Sequence, residues 1–196
     1  MRVLKVILLT AFFSLLVFPA AAVYASTATT TISSVVSATI GLLTTSGTVN
    51  INATPTGGGV QTTASDTITV STNDAAGYTL SLAETGASGN LVSGSDTIAA
   101  VSGTKASPTA LTANKWGYRV DSLGGFGAGP TSSGSNTAIG SVTYAAVPAS
   151  GSPDTLKATS STATNDTTTV WYSVAVNTSQ PSGTYTNSVT YTAVAN

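Results

Sequence analysis

The residue types that most often do chemistry in proteins are thinly represented in this chain, and two are missing altogether. Its 196 residues include no His and no Cys. Ser-His-Asp and Cys-His nucleophiles, imidazole or thiolate metal sites, redox dithiols and disulfides are thereby excluded. What remains is seven carboxylates (Asp66, Asp74, Glu84, Asp96, Asp121, Asp154 and Asp166), six basic residues and two tryptophans. Two carboxylates flanking a sugar bond can hydrolyse it, one as acid and the other as base or nucleophile. Scattered acids with no aromatic-rich stretch between them do not suggest such a cleft. No enzyme is therefore expected and no catalytic residue is assigned. Glu84 and Asp121 are the acids whose neutralisation would reveal a carbohydrate-processing activity.

The same acids are poor metal ligands. Asn73-Asp74 and Asn165-Asp166 fall at turns, where such side chains bond to nearby backbone amides, and neither belongs to the dense acidic run of a calcium loop. No metal or other cofactor is expected. Gly124-Gly125-Phe126-Gly127-Ala128-Gly129-Pro130 has the glycine content of a phosphate-binding loop. Such a loop must run into a helix whose N-terminal amides meet the phosphates, and here Thr131 to Ser135 follow with no helical pattern and no Lys. It reads as a flexible loop.

Trp116-Gly117-Tyr118 and Trp171-Tyr172 hold the tryptophans. An aromatic beside polar neighbours can stack on a sugar ring, whereas one that alternates along a buried strand belongs to the core, and core is expected for both. Lys105 or Lys115 near Glu84 or an Asn could close an intramolecular isopeptide bond, which a deficit in intact mass would reveal. Asn52-Ala53-Thr54, Asn165-Asp166-Thr167 and Asn177-Thr178-Ser179 match the glycosylation sequon and matter only in a host that glycosylates exported proteins.

Charge narrows the partners further. Only 7% of the residues are charged, against about 25% in ordinary globular chains. Arg2 and Lys5 belong to the leader described below, so neither nucleic acid nor anionic lipid meets a cationic footprint. A cell-wall polymer, a host-cell surface or identical subunits are the expected partners.

The elements that would position these residues begin after a leader. Met1 to Ala25 read as a secretory signal peptide: Arg2 and Lys5 form the charged start, Val6 to Phe18 are almost wholly apolar, and Val23-Tyr24-Ala25 offers a small-residue cleavage site. The apolar run is shorter than the ~20 residues a spanning helix needs. No transmembrane span is expected after cleavage, Ser26 is the expected mature start, and the C-terminus carries no wall-sorting signal. The expected location is secreted, at the cell surface or extracellular.

Residues 26–45 form a Ser/Thr-rich N-terminal segment, and residues 46–196 the expected β-sandwich domain. Helical periodicity is nearly absent. Period-two alternation recurs instead at Val36 to Leu42, Val49 to Ala53, Ile68 to Val70, Tyr78 to Leu82, Trp116 to Val120, Val170 to Val176 and Tyr185 to Ala193. Weaker runs lie at 97–101, 141–147 and 155–159. Gly- and Pro-rich clusters at 55–59, 73–77, 86–90, 124–130, 148–154 and 180–183 mark chain reversals. The pattern predicts an all-β fold, a single immunoglobulin-like β-sandwich of about 8–10 short antiparallel strands, with a barrel as the structural alternative. Within 26–45, Val36, Ala38, Ile40 and Leu42 read either as the first strand of the same sheet or as a donor strand completing a neighbour's.

Two segments carry a resemblance. Asn73 to Leu80 (Asn-Asp-Ala-Ala-Gly-Tyr-Thr-Leu) resembles the first motif of the WxL bacterial cell-surface domain. Pro181 to Thr192 is similar to that domain's C-terminal motif, and the likeness spans most of 46–196 in order. Tyr78 and Tyr191 replace the motif Trp, and Ala193 stands where the family has Leu. The terminal Pro-x-Gly-Thr-Tyr-x-x-x-Val-Thr pattern is also similar to spore-coat-U-type fimbrial subunits, which usually carry Cys. The first resemblance implies non-covalent attachment to peptidoglycan, and the second implies polymerisation by strand exchange. The expectation is a non-enzymatic structural or adhesive module of the envelope. The alternative is a pilus or filament subunit joined through residues 26–45. Loops 55–64, 84–96 and 122–137 are the candidate contact surfaces, since loops on a rigid scaffold usually carry binding.

Overall fold

Branched and aromatic side chains pack well on a pleated, half-buried surface, and the described residues form strands and loops without a helix. The computed structural model describes residues 24–86 and 88–196. The expected leader lies almost wholly outside the described residues. The chain divides into two units, residues 1–36 and 37–196. In the first, residues 24–36 are exposed and form neither helix nor strand. The second begins at Ser37, ahead of the boundary expected at residue 46, because the first strand already belongs to its sheet.

Twelve strands occur among the described residues: β1 (Ile40–Thr44), β2 (Val60–Thr72), β3 (Tyr78–Glu84), β4 (Leu91–Ser93), β5 (Asp96–Ala100), β6 (Thr109–Ala110), β7 (Lys115–Arg119), β8 (Gly134–Thr137), β9 (Thr143–Tyr144), β10 (Asp154–Ala158), β11 (Ala163–Val176) and β12 (Val189–Ala195). The large sheet has the order β1-β2-β11-β7-β5-β4, with β8 also on β2; β10-β3-β12 form a second sheet and β6-β9 a two-stranded ribbon. All pairs are antiparallel except β5 with β7. The all-β class read from the alternation is the observed one, while an immunoglobulin-like arrangement is not established by this strand order. Two expectations are corrected. There are more strands than the eight to ten foreseen, and β2 and β11 are long, with 13 and 14 residues. The length comes from runs of Thr, Ser and Asp that carry no apolar alternation but form a continuous ladder from Val176↔Val60 to Asp166↔Val70.

Side chains from one face of each sheet meet in a single core. The large sheet contributes Ile68, Val70, Trp116, Tyr118, Val170, Tyr172 and Val174, and the small sheet contributes Tyr78, Leu80, Leu82 and Leu156. Fully burying each aliphatic side chain of this kind stabilises the fold by roughly 1.5–3 kcal/mol. The turn between β2 and β3 carries the chain from one sheet to the other. Asp74 Oδ1 accepts the Ala76 amide at 2.8 Å, and Gly77 takes φ 86°, where a Cβ would lie 2.5 Å from the Thr159 carbonyl oxygen. One hydroxyl pair bridges the sheets: Tyr172 on β11 and Tyr191 on β12 meet at 2.7 Å.

A third layer covers part of the large sheet's outer face. Val101, Leu111, Tyr144 and Ala175 form a second apolar cluster there, with Ile139 against it. Gly117 makes this close approach feasible, because a Cβ on it would lie 2.7 Å from the Ala145 carbonyl oxygen and 3.0 Å from Tyr144 Cβ. Beneath the layer, Gln61 Nε2 donates to the Tyr144 hydroxyl at 3.0 Å and Thr63 shares a 2.8 Å hydrogen bond with Ser173. These buried polar groups therefore have partners.

The N-terminal alternation is used only in part. Ile40 to Thr44 pair with Thr72 to Ile68 of the same chain, so this stretch of the segment considered as a donor strand is an edge strand of its own sheet. Asn73 fixes its start: Oδ1 accepts the Thr39 amide at 2.7 Å, and Nδ2 donates to the Ser37 carbonyl at 3.0 Å. No helix among the described residues is long and apolar enough to cross a membrane.

Candidate functional site

The carboxylates hold the fold together. Glu84, at the end of β3, is buried. It accepts the Gly89 amide at 2.9 Å and the Asn187 side-chain amide at 3.2 Å. Trp116 Nε1 donates to the Gly89 carbonyl at 3.0 Å, so the loop after β3 is pinned at both polar groups of one residue. Asp66 is buried and accepts the Thr45 hydroxyl and the Ser46 amide at 2.9 and 3.2 Å. Asp154 accepts the Tyr118 hydroxyl at 2.5 Å and faces Lys105 at 3.6 Å. Asp166 takes Tyr78 at 2.8 Å and Lys157 at 2.5 Å. The two strand ends of β10 are thus each tied to the large sheet by a Tyr-Asp-Lys cluster. Burial first, and the neighbouring carboxylate second, push the Tyr78 and Tyr118 hydroxyls well above the ordinary phenol range. Against the opposing push of burial, Lys157 and Tyr78 hold the Asp166 carboxyl below its usual range.

Asp121 has the same kind of role in the glycine-rich segment. Arg119 is 4% exposed; its Nε donates to Asp121 Oδ1 and to the Thr131 hydroxyl, both at 2.7 Å. The guanidinium nitrogens donate to the Phe126 carbonyl, to Gly127 O at 3.2 Å and to Thr143 O at 3.4 Å. The guanidinium also stands 5.9 Å from the centre of the buried Phe126 ring. Asp121 Oδ2 accepts the Thr131 amide at 2.7 Å. Burial works against it, yet the Thr131 hydroxyl and amide and the Arg119 guanidinium hold this carboxyl below its usual range. The segment read as a flexible loop is therefore a closed one wrapped around an arginine. Each Arg119 nitrogen is already bonded within the fold and a carboxylate stands beside it, so the guanidinium is not arranged as the open fork that grips an anion.

The tryptophans part company. Trp116 is buried in the core as expected. Trp171 is half-buried and lies on the opposite face of β11 from Val170, Tyr172 and Val174. Its parity in the sequence carries that information, because the even-numbered apolar residues from 170 to 176 face the core and 171 must face away. Across the outer face, the rows run Ser65, Trp171, Arg119 and then Thr67, Thr169 and Thr69, Thr167, with Leu43 beside Thr69. The rows on the other side of Trp171, Thr63 with Ser173 and Gln61 with Ala175, lie under the third layer. An open cleft of about 330 Å³ begins at Arg119 and is lined by Phe126, Pro130, Thr131, Val142 and Thr143 among others.

The remaining sequence candidates are dispersed. Lys105 is on Asp154 and Glu84 is on Gly89 and Asn187, so the structure does not join Lys105 to Glu84. Asn52 and Asn165 are exposed, while Asn177 is half-buried and bonded to Asn114 and Ser179. Of the three candidate contact loops, residues 60–64 prove to be strand, and all but Ala64 are buried. Residues 84–96 include β4, and 122–137 end in β8. No group of three His, Cys, Asp or Glu that could hold a metal occurs among the described residues. The two motif-bearing segments are neighbours: Tyr191 pairs with Leu82 and Ala193 with Leu80 on adjacent strands of the small sheet. Comparison with protein-family models, with curated proteins and with solved structures finds no match.

Proposed function

We propose that this chain is a non-enzymatic, exported cell-surface protein: an immunoglobulin-like β-sandwich serving as a structural or adhesive module of the envelope, held non-covalently to the cell wall. The observation that carries the reading is the use made of the acids. Each buried or half-buried carboxylate is bonded within the fold, at Asp66, Asp74, Glu84, Asp121, Asp154 and Asp166. None is left as a free acid-base pair in a cleft. The leader read at residues 1–25 and the lightly charged, hydroxyl-rich exterior support export and display. Antibody labelling of intact cells tests the reading: signal on unpermeabilised cells is expected, and signal only after lysis overturns it.

A second reading, a filament subunit joined through residues 26–45, is favoured by one observation. Upstream of β1, Ile32, Val35 and Val36 are 92%, 90% and 80% exposed. Such residues suit addition to another sheet's edge. Deleting 26–45 discriminates: loss of assembly with a weakened fold supports exchange, and an unchanged monomer opposes it.

A further inference from the structure

Trp171 lies on the face of β11 that points away from the main core. The core takes the other face of β11, and the third layer stops one row short of it. Its indole N–H has no acceptor among the described residues, and since no buried side-chain nitrogen there goes unpaired, solvent reaches it. Around it stand hydroxyls at sheet spacing: Ser65 directly opposite, then Thr67, Thr169, Thr69 and Thr167 in the next two rows. Cross-strand neighbours of this kind lie about 4.5–5.5 Å apart and same-face residues on one strand two positions apart. The other cross-strand neighbour, Arg119, is the only charged residue in these rows, and each of its nitrogens already bonds Asp121, Thr131 or a loop carbonyl. The same arginine is one of the residues lining the open cleft, with Thr131, Val142 and Thr143.

We infer that Trp171, with Ser65, Thr67 and Thr169, forms a platform for a neutral glycan chain, the pyranose rings stacking on the indole while the hydroxyl rows and the Arg119 cleft take the ring hydroxyls. The chemistry selects this class of ligand. A half-exposed indole offers an apolar face to the C–H side of a sugar and a polar handle at its edge. A field of uncharged hydroxyls pairs with ligand hydroxyls and supplies no counter-charge to a phosphate, carboxylate or ammonium group. The strands beneath are the longest in the molecule, so the platform is rigid before the ligand arrives, which lowers the ordering cost of binding. The inference rests on the wall-bound reading in one respect: the glycan is that of the cell's own wall.

The test uses the exported protein and a hexamer of N-acetylglucosamine as probe, read by tryptophan fluorescence and calorimetry. Trp116→Phe leaves Trp171 as the reporter. Addition of the hexamer shifts emission in the wild type and in Trp116→Phe but leaves Trp171→Phe unshifted. Trp171→Ala binds about tenfold more weakly, compared at a temperature where circular dichroism shows both proteins folded. Wild-type binding that is absent, or that survives unchanged in Trp171→Ala, overturns the platform. Sedimentation with purified wall sacculi separates this from the broader reading. Co-sedimentation that persists in Trp171→Ala overturns the platform and leaves the wall-bound function standing. Hexamer binding without co-sedimentation supports the platform and overturns wall attachment.

Discussion

Trp171 and Arg119 are cross-strand partners on the outer face of the large sheet, and together they mark the line where its covering layer ends. On one side of that line the sheet is buried under the Tyr144 ribbon. On the other it presents rows of threonine to solvent. One partner is buried and bonded into a loop and the other is half-buried with its indole N–H open to solvent, so the pair divides structural from available surface. Several consequences can be measured.

Arg119→Ala removes the centre of the glycine-rich loop. Truncating one partner of a wholly buried ion pair costs about 3–5 kcal/mol, and the half-exposed Asp121 lowers the expectation to about 2–4 kcal/mol. Urea unfolding measures the loss, and limited proteolysis of the native protein is expected to cut first within residues 122–131. Arg119→Lys keeps the charge but not the fork of donors, so it is expected to recover less than half of the loss.

Gly117→Ala places a methyl group against the Ala145 carbonyl, a backbone group that cannot swing aside. The expected cost is about 1–3 kcal/mol. Hydrogen exchange is expected to rise at Tyr118 and Ala145, whose amides donate to each other's carbonyls at 2.8 and 2.9 Å, and to stay unchanged in the small sheet.

The hydroxyl pair Tyr172 and Tyr191 joins the two sheets across the core. A double-mutant cycle with both Tyr→Phe changes is expected to give a coupling of about 0.5–1.5 kcal/mol. A coupling near zero means that each hydroxyl finds another partner.

Stability is expected to be flat from about pH 6 to 9, since no His or Cys titrates there. Asp121 and Asp166 have depressed values in the fold. Their contribution is present above the unfolded carboxylate value of about 4 and is lost as pH falls through the folded values. Tyr78, Tyr118, Tyr172 and Tyr191 are raised, first of all by burial. Their contribution is complete below the unfolded value of about 10 and is lost as pH rises through the folded values. A melting-temperature profile from pH 2 to 12 checks both limbs; a slope between 6 and 9 contradicts the assignment.

The apolar strands were legible in the sequence because alternation reports which face is buried. Tyr78, Leu80 and Leu82 in β3 and Val170 to Val176 in β11 are clear cases. The threonine-rich halves of β2 and β11 were not, since Thr62, Thr63 and Thr168 are buried polar residues that no hydrophobic pattern marks. Val49, Ile51 and Ala53 show the opposite limit. They alternate and pack on the core, yet join no strand, because pattern specifies a face and not a ladder partner. The closed loop at 122–131 depends on Arg119 meeting carbonyls several residues away, which spacing alone does not encode. The outward position of Trp171 was readable from parity alone, once Trp171 was treated apart from Trp116.

The most direct measurement is sedimentation of the purified protein with wall sacculi at low and at high salt. The protein is expected to pellet with the sacculi and to stay bound at about 1 M salt, where exposed charge interactions are screened within a few ångströms. Protein that remains in the supernatant at both salt concentrations contradicts wall attachment.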